Sequence, residues 1–144
     1  MIVKQIEAKD TYNIRHKVLR KGRPIESCYF ENDNDELTFH LGAYIDERLA
    51  SVASFYLNRH EAFEDEYQFQ LRGMATLPEF QGKGLSSALL KAAFPLIKKN
   101  HVNMLWCNAR KVAKGFYERV GFESVGDEFD IPDVGPHYLM LKRF

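Results

Sequence analysis

Gln81-Gly82-Lys83-Gly84-Leu85-Ser86 is the run whose residue types and spacing most directly imply chemistry. Two glycines let the backbone turn and bring its N–H groups close to a ligand. A helix starting at about Gly84 leaves its first four N–H groups without intrahelical partners, with partial positive charge from its dipole. Such a site favours a phosphate or pyrophosphate, and Lys83 can add a point charge from the rim. Spacing alone leaves a plain glycine turn open as the other reading. Two commoner phosphate motifs fail here. A Walker loop, GxxxxGK[ST], would need glycine where Leu77 stands and Ser or Thr where Gly84 stands. A dinucleotide fingerprint from Gly82 would need glycine in place of Ser87 and an acid about 20 residues on, near Asn103.

The elements that must hold this turn follow from periodicity. Ile2, Val3 and Ile6 predict a short first strand. Ile14, Val18 and Leu19 recur at helical spacing over Thr11–Leu19, and Gly22 with Pro24 ends that helix. The polar runs Glu31–Glu36 and Arg59–Glu66 read as loops. Phe39, Leu41, Ala43 and Ile45 alternate with His40, Gly42 and Tyr44, which predicts a half-buried strand. Asp46 and Glu47 allow a tight turn into a second alternating run, Leu49–Leu57, an antiparallel hairpin without the favoured Asn-Gly or Asp-Gly. Gln68–Ala75 is a further strand, in which Gly73 marks a bulge or a close approach to the backbone.

Beyond Gly84 the period is helical. Leu85, Ala88, Leu89, Ala92, Ala93, Leu96 and Ile97 form one apolar stripe, which Pro95 is expected to kink or end. Val102–Cys107 predicts a short buried strand. Val112, Ala113, Phe116, Tyr117 and Val120 predict a second amphipathic helix closed by Gly121. Two last strands are expected near Phe122–Phe129 and His137–Lys142, giving one mixed α/β sheet.

With 144 residues, 45% of them apolar, the chain fits one domain over 1–144, and no repeat or composition shift divides it. Its 20 Lys and Arg cancel 20 Asp and Glu, which argues against a protein held to nucleic acid by bulk positive charge. Cys28 and Cys107 lack CxxC spacing and are too few for a metal cluster or disulfide framework, so two reduced thiols and no metal are expected. Met1–Asp10 already carries Lys4, Glu7, Lys9 and Asp10, and nowhere do about 18 apolar residues run together. The expectation is a cytoplasmic protein with no membrane partner.

Leu71–Leu90, LRGMATLPEFQGKGLSSALL, resembles the central motif of the GCN5-related N-acetyltransferases (GNAT): strand, Pro, [QR]-x-x-G-x-[GA], helix. Gln81 and Gly84 match, while Ser86 replaces the motif's small last residue with another small one. Asn108 followed by FYERVGF, Phe116–Phe122, is similar to the family's asparagine and F-Y-x-x-x-G-F segment. The order of strands and helices is also the family's, so the likeness extends over nearly the whole chain. The ending Asp133–Tyr138, with Met140, resembles the ElaA-like branch.

The resemblance implies a single-domain GNAT-like α/β fold, a mixed and mostly antiparallel sheet of six to seven strands flanked by helices. It also implies acetyl transfer from acetyl-coenzyme A, as co-substrate, to a primary amine of a small molecule or peptide by direct attack in a ternary complex. In the family the pyrophosphate sits on the loop's amides, here Gln81, Gly82, Lys83, Gly84, Leu85 and Ser86. The pantetheine arm pairs like an extra strand with the bulged strand, here Met74, Ala75 and Thr76, which agrees with Gly73 as a bulge. An N–H in the bulge can polarise the thioester oxygen.

Tyr117 is the expected general acid for the departing thiolate. Asn108 is expected to hydrogen-bond the pantetheine amides, an ordinary helix cap being the other reading. Many members place a glutamate base before the bulge, where this chain has Gln70. Glu66, Glu79 and His137 remain as candidates, imidazole being the side chain that exchanges protons near neutrality. Glu61, Glu64, Asp65 and Glu66 could attract a cationic amine or simply form a solvated loop. Arg20–Glu36 and Arg59–Tyr67 are the loops expected to shape the acceptor pocket. Cys107, in a buried-looking strand, is disfavoured as a nucleophile. Paired subunits are common in the family, which makes a homodimer the candidate assembly. The alternative reading is a non-catalytic acyl-coenzyme A sensor or interaction module on the same fold, supported by the missing glutamate at Gln70.

Overall fold

Alternating strands and one long striped helix bury their apolar faces together only if the helix lies across a sheet. The computed structural model describes residues 1–144 and shows that arrangement. In chain order the elements are β1 (Ile2–Ile6), α1 (Ala8–Val18), β2 (Phe39–Ile45), β3 (Arg48–Leu57), β4 (Phe69–Thr76), α2 (Leu85–Lys99), β5 (Met104–Arg110), α3 (Lys114–Arg119), β6 (Glu123–Ile131) and β7 (Gly135–Arg143). Short 3-10 turns occupy Ile25–Cys28, Pro78–Phe80 and Lys111–Ala113. The seven strands form one sheet in the order β1-β2-β3-β4-β5-β7-β6. Every neighbouring pair is antiparallel except β4 and β5, which are parallel. This is the mixed, mostly antiparallel sheet that the sequence predicts. No helix is long and apolar enough to cross a membrane.

Local chemistry explains most boundaries. α1 starts at Ala8, earlier than its apolar spacing predicts, because the Glu7 N–H donates to the Asp10 carboxylate at 3.0 Å and holds the first turn. The β2–β3 hairpin closes through Asp46 and Glu47, at φ +47° and +67°, the left-handed pair that a two-residue turn of matching twist requires. β2 is not half-buried as expected. Phe39, Leu41 and Ala43 enter the main core, while His40, on the opposite face, is also buried and bonds to Ser54 and the Asp33 carbonyl.

α2 sends Leu85, Leu89, Leu90, Ala93 and Ile97 into that core. Full burial of each Leu or Ile stabilises by roughly 1.5–3 kcal/mol. Pro95 does not end the helix, which continues to Lys99. The proline ring lies on the exposed face, so the hydrogen bond it deletes is one that water can replace. Val112 does not join the α3 stripe. It is 94% exposed on a 3-10 turn, and the helix begins only at Lys114.

One irregularity creates the opening that matters. β4 and β5 pair only at Phe69↔Leu105 and Gln70↔Trp106. Beyond them β4 carries an extra residue against β3, where Val52↔Ala75 is followed by Ser54↔Arg72, and Gly73 takes φ +64°. The predicted bulge is therefore present. From Leu71 onward β4 has no partner strand on its β5 side, and the two strands diverge.

Candidate functional site

The divergence opens a cleft of about 1050 Å³ between Gln70–Thr76 on one wall and Cys107–Arg110 on the other. Its mouth is the turn before α2. Gly82 and Gly84 take φ +76° and +79°, and a Cβ at either would meet no atom within 4 Å. The turn is thus glycine-built for backbone conformation, with its outer side open. The amides of Gly82, Lys83, Gly84, Leu85, Ser86 and Ser87 donate to no backbone or side-chain acceptor, and the α2 N-cap has no side-chain bond. Among the six predicted loop residues, Gln81 departs: its N–H bonds the Pro78 carbonyl at 3.3 Å. Ser87, which the sequence reading did not include, adds one free amide. Lys83 does not line the cleft; its ammonium lies 5.6 Å from the Phe80 ring centroid.

Met74, Ala75 and Thr76 all line the cleft on the bulged strand. Thr76 Oγ1 lies 2.7 Å from Ser51 Oγ and 3.2 Å from Ser86 Oγ, so one hydroxyl chain ties the strand to the start of α2. Asn108 faces the cleft from within β5, two residues before the strand ends. It caps no helix: Arg110 and Ala113 occupy the cap positions of the turns that follow, so the capping alternative falls away.

Tyr117 is buried at 8% exposure and reaches the cleft from α3. Burial first, and then the neighbouring Cys107 thiol, push its phenol well above the usual value. Burial likewise pushes the Cys107 thiol up to about 12, which leaves it un-ionised and a poor nucleophile. His137, on β7, lines the cleft; its Nδ1 lies 2.7 Å from the Gly135 carbonyl. A carbonyl only accepts, so Nδ1 carries the hydrogen, which leaves Nε2 as the ring nitrogen without a protein partner. Gln70 lies at the root of the opening with its side-chain oxygen accepting from Asn58 Nδ2 at 2.8 Å.

Other candidates lie elsewhere. Glu79 is exposed and pairs with Arg48 at 3.2 Å, and Glu66 is exposed on its loop; neither lines the cleft. The loop Arg59–Tyr67 packs on the face of β5 and β7 away from α2, through Phe63 with Met104, Trp106, Leu139 and Leu141. Asp65 there forms a two-pronged pair with Arg143. No residue of this segment, expected to shape the acceptor pocket, lines the cleft. The other loop does contribute: Arg20 and Phe30 line the cleft.

Sequence reasoning missed one constellation. Arg20 from the loop after α1, Arg72 from β4 and Arg110 from β5 line the same cleft and form no ion pair with any carboxylate. Arg20 is held below the usual guanidinium range by burial first and then by Arg23, with Arg72 and Arg110 adding to the repulsion. No linear spacing joins positions 20, 72 and 110, so only the fold reveals the cluster.

A family model described as "Acetyltransferase (GNAT) domain" matches residues 17–132. The chain is 40% identical over 140 residues to the "Uncharacterized N-acetyltransferase YitI" of Bacillus subtilis (strain 168), covering 97% of this chain and 94% of that protein. The fold is similar to that of an aminoglycoside 6′-N-acetyltransferase complexed with coenzyme A, with TM-score 0.78, 10% identity and coverage of 99% and 97%. It is also similar to Escherichia coli ElaA, with TM-score 0.71, 12% identity and 99% of each chain covered, which is a likeness of fold.

Proposed function

The chain belongs to the GNAT acetyltransferase family, and on that premise we propose that it moves the acetyl group of acetyl-coenzyme A onto a primary amine that carries a negative group of its own. The observation that carries the donor half is the row of unpartnered amides, Gly82–Ser87, at the mouth of a cleft walled by an unpaired strand edge. A diphosphate fits the first feature and an extended amide arm the second. The coenzyme A complex of the structurally similar aminoglycoside enzyme supports this assignment.

The acceptor half rests on Arg20, Arg72 and Arg110. Three guanidinium groups without carboxylate partners in one cleft repel a bare cation and favour a carboxylate, phosphate or phosphonate. An acceptor of that kind keeps its amine free for reaction while its anionic end is held. His137 Nε2 then takes a proton from the amine, directly or through a water, and the amine nitrogen attacks the thioester carbon. Negative charge develops on the carbonyl oxygen, which the bulge amides beside Gly73 can face. As the C–S bond breaks, Tyr117 gives its phenolic proton to the departing sulfur, and no acyl-enzyme forms.

Thiol release from acetyl-coenzyme A tests this, using matched amines with and without a carboxylate or phosphonate. The anionic member of each pair should be acetylated faster. Equal rates overturn the acceptor assignment. No thiol release with any amine, while calorimetry shows coenzyme A binding, supports the sensor reading that Gln70 favours.

A further inference from the structure

Arg15 of α1 is wholly buried beneath β4. Its Nη1 donates to Asp33 Oδ2 at 2.7 Å and to the Cys28 carbonyl at 2.9 Å. Its Nη2 donates to Asp33 Oδ1, Ser54 Oγ and Tyr56 OH. Only Nε lacks an acceptor. That edge lies by Phe30, whose ring centroid is 3.9 Å from Arg15 Cζ.

Asp33 also grips Phe30 itself. The Phe30 N–H donates to Asp33 Oδ2 at 2.9 Å, and the Asp33 N–H returns to the Phe30 carbonyl at 3.2 Å. The ring then presses on the bulge: a Cβ added at Gly73 would stand 2.9 Å from Phe30 Cε2 and 3.3 Å from Arg15 Nε. Two further guanidinium groups crowd the same ring. Arg72 Cζ lies 5.0 Å from its centroid and Arg20 Cζ 5.4 Å, and Arg72 also lies 5.6 Å from the Tyr56 ring. Arg20 donates to the Leu19 carbonyl at 3.3 Å, neither arginine has a carboxylate partner, and the negative face of the ring offers both a compensating charge.

We infer that Phe30 is a positioning residue, which gathers Arg20 and Arg72 to receive the acceptor's anionic group while the Arg15–Asp33 pair locks it against the bulge. The inference rests on the anionic-acceptor reading and adds the device that makes the arginines converge. Two like charges within reach of one acceptor repel and would splay into solvent unless something between them attracts both. A locked aromatic ring does so without neutralising either, as a carboxylate would.

Phe30→Leu keeps an apolar side chain of similar bulk and removes the π face. It should raise KM for an anionic amine roughly five- to tenfold, as expected for losing two cation–π contacts. The ring also presses on the bulge, so KM for acetyl-coenzyme A and the rate with the matching neutral amine report that packing, and both should change less than KM for the anionic amine. Phe30→Tyr, which keeps the ring, should restore the anionic preference. A merely structural role would instead lower activity with both amines alike and would overturn the inference. An unchanged preference in Phe30→Leu would also overturn it. Arg20→Gln and Arg72→Gln separate the two layers. If they abolish the preference while Phe30→Leu does not, the anion reading stands and the positioning role fails; if they too leave it unchanged, the acceptor reading itself fails. Should Phe30→Leu not fold, inorganic phosphate titrated into the wild-type protein gives a second readout. Phe30 ring resonances should shift in parallel with phosphate inhibition that competes with the acceptor, and static resonances would overturn the role.

Discussion

The phenol of Tyr117 meets the thiol of Cys107 in the wall of the cleft, 8% and 2% exposed. Burial holds both groups protonated; the thiol adds to the upward push on the phenol, while the phenol's hydrogen bond partly offsets the push on the thiol. Under the proposed mechanism the phenol is the proton source for the departing thiolate. Tyr117→Phe should therefore lower kcat by about 10²-fold or more, with coenzyme A affinity nearly unchanged. Steady-state rates and calorimetry on the same preparation decide it, and an undiminished kcat would remove Tyr117 from proton transfer.

The fixed tautomer of His137 gives a second test. With Nδ1–H engaged by the Gly135 carbonyl, Nε2 is the ring nitrogen left to act as the proposed base. His137→Gln should lower the neutral-pH rate by about 10²- to 10⁴-fold. Activity should recover as pH rises, because the acceptor amine then sheds its own proton. A pH profile parallel to wild type would place the base elsewhere.

Gly82 and Gly84 separate conformation from crowding. Alanine at either meets no neighbour, so the whole effect is the left-handed backbone, about 1–2 kcal/mol. That strain falls on the turn that presents the free amides. KM for acetyl-coenzyme A should rise roughly five- to thirtyfold while KM for the acceptor does not. Equal KM values for acetyl-coenzyme A in wild type and variants would detach the turn from donor binding.

His40 supplies a pH dependence of stability. Burial holds its imidazole below the usual range, against the opposing pull of Asp33. In the unfolded chain it protonates at about 6.5, so below that pH the unfolded state binds more protons than the folded one. The contribution is complete above that pH and is lost as pH falls toward the lowered folded value, at up to about 1.4 kcal/mol per pH unit. Urea melts at stepwise pH between neutrality and mild acid should show this slope, and His40→Gln should flatten it. An equal slope in both proteins would mean that another group is responsible.

What could be read from the chain was whatever is local. The glycine turn at Gly82 and Gly84, the bulge at Gly73 and the stripe of α2 each announce themselves within a few residues, because backbone freedom and helical period are near-neighbour properties. Asp33 stayed hidden in a polar run, since what buries it is Arg15, 18 residues earlier. Pro95 does not end α2 as its residue type alone allows, because its cost depends on which face it occupies, a tertiary fact. The face on which the segment Arg59–Tyr67 packs is equally invisible in the sequence: Phe63 chooses it by contact with Trp106 and Leu139. The Arg20–Arg72–Arg110 cluster, the strongest clue to the acceptor, has no signature short of the folded chain.

A sheet whose two halves share only the rungs Phe69–Leu105 and Gln70–Trp106 is incomplete as built. Whatever lodges in the gap finishes the ladder and becomes part of the architecture. On the proposed reading that occupant is the acyl donor, whose supply would set the protein's durability as well as its rate: at a concentration 100 times Kd, occupancy adds about 2.7 kcal/mol against unfolding. A cell rich in acyl donor would hold this chain in its most heat- and protease-resistant form, and starvation for the donor would loosen it along that seam.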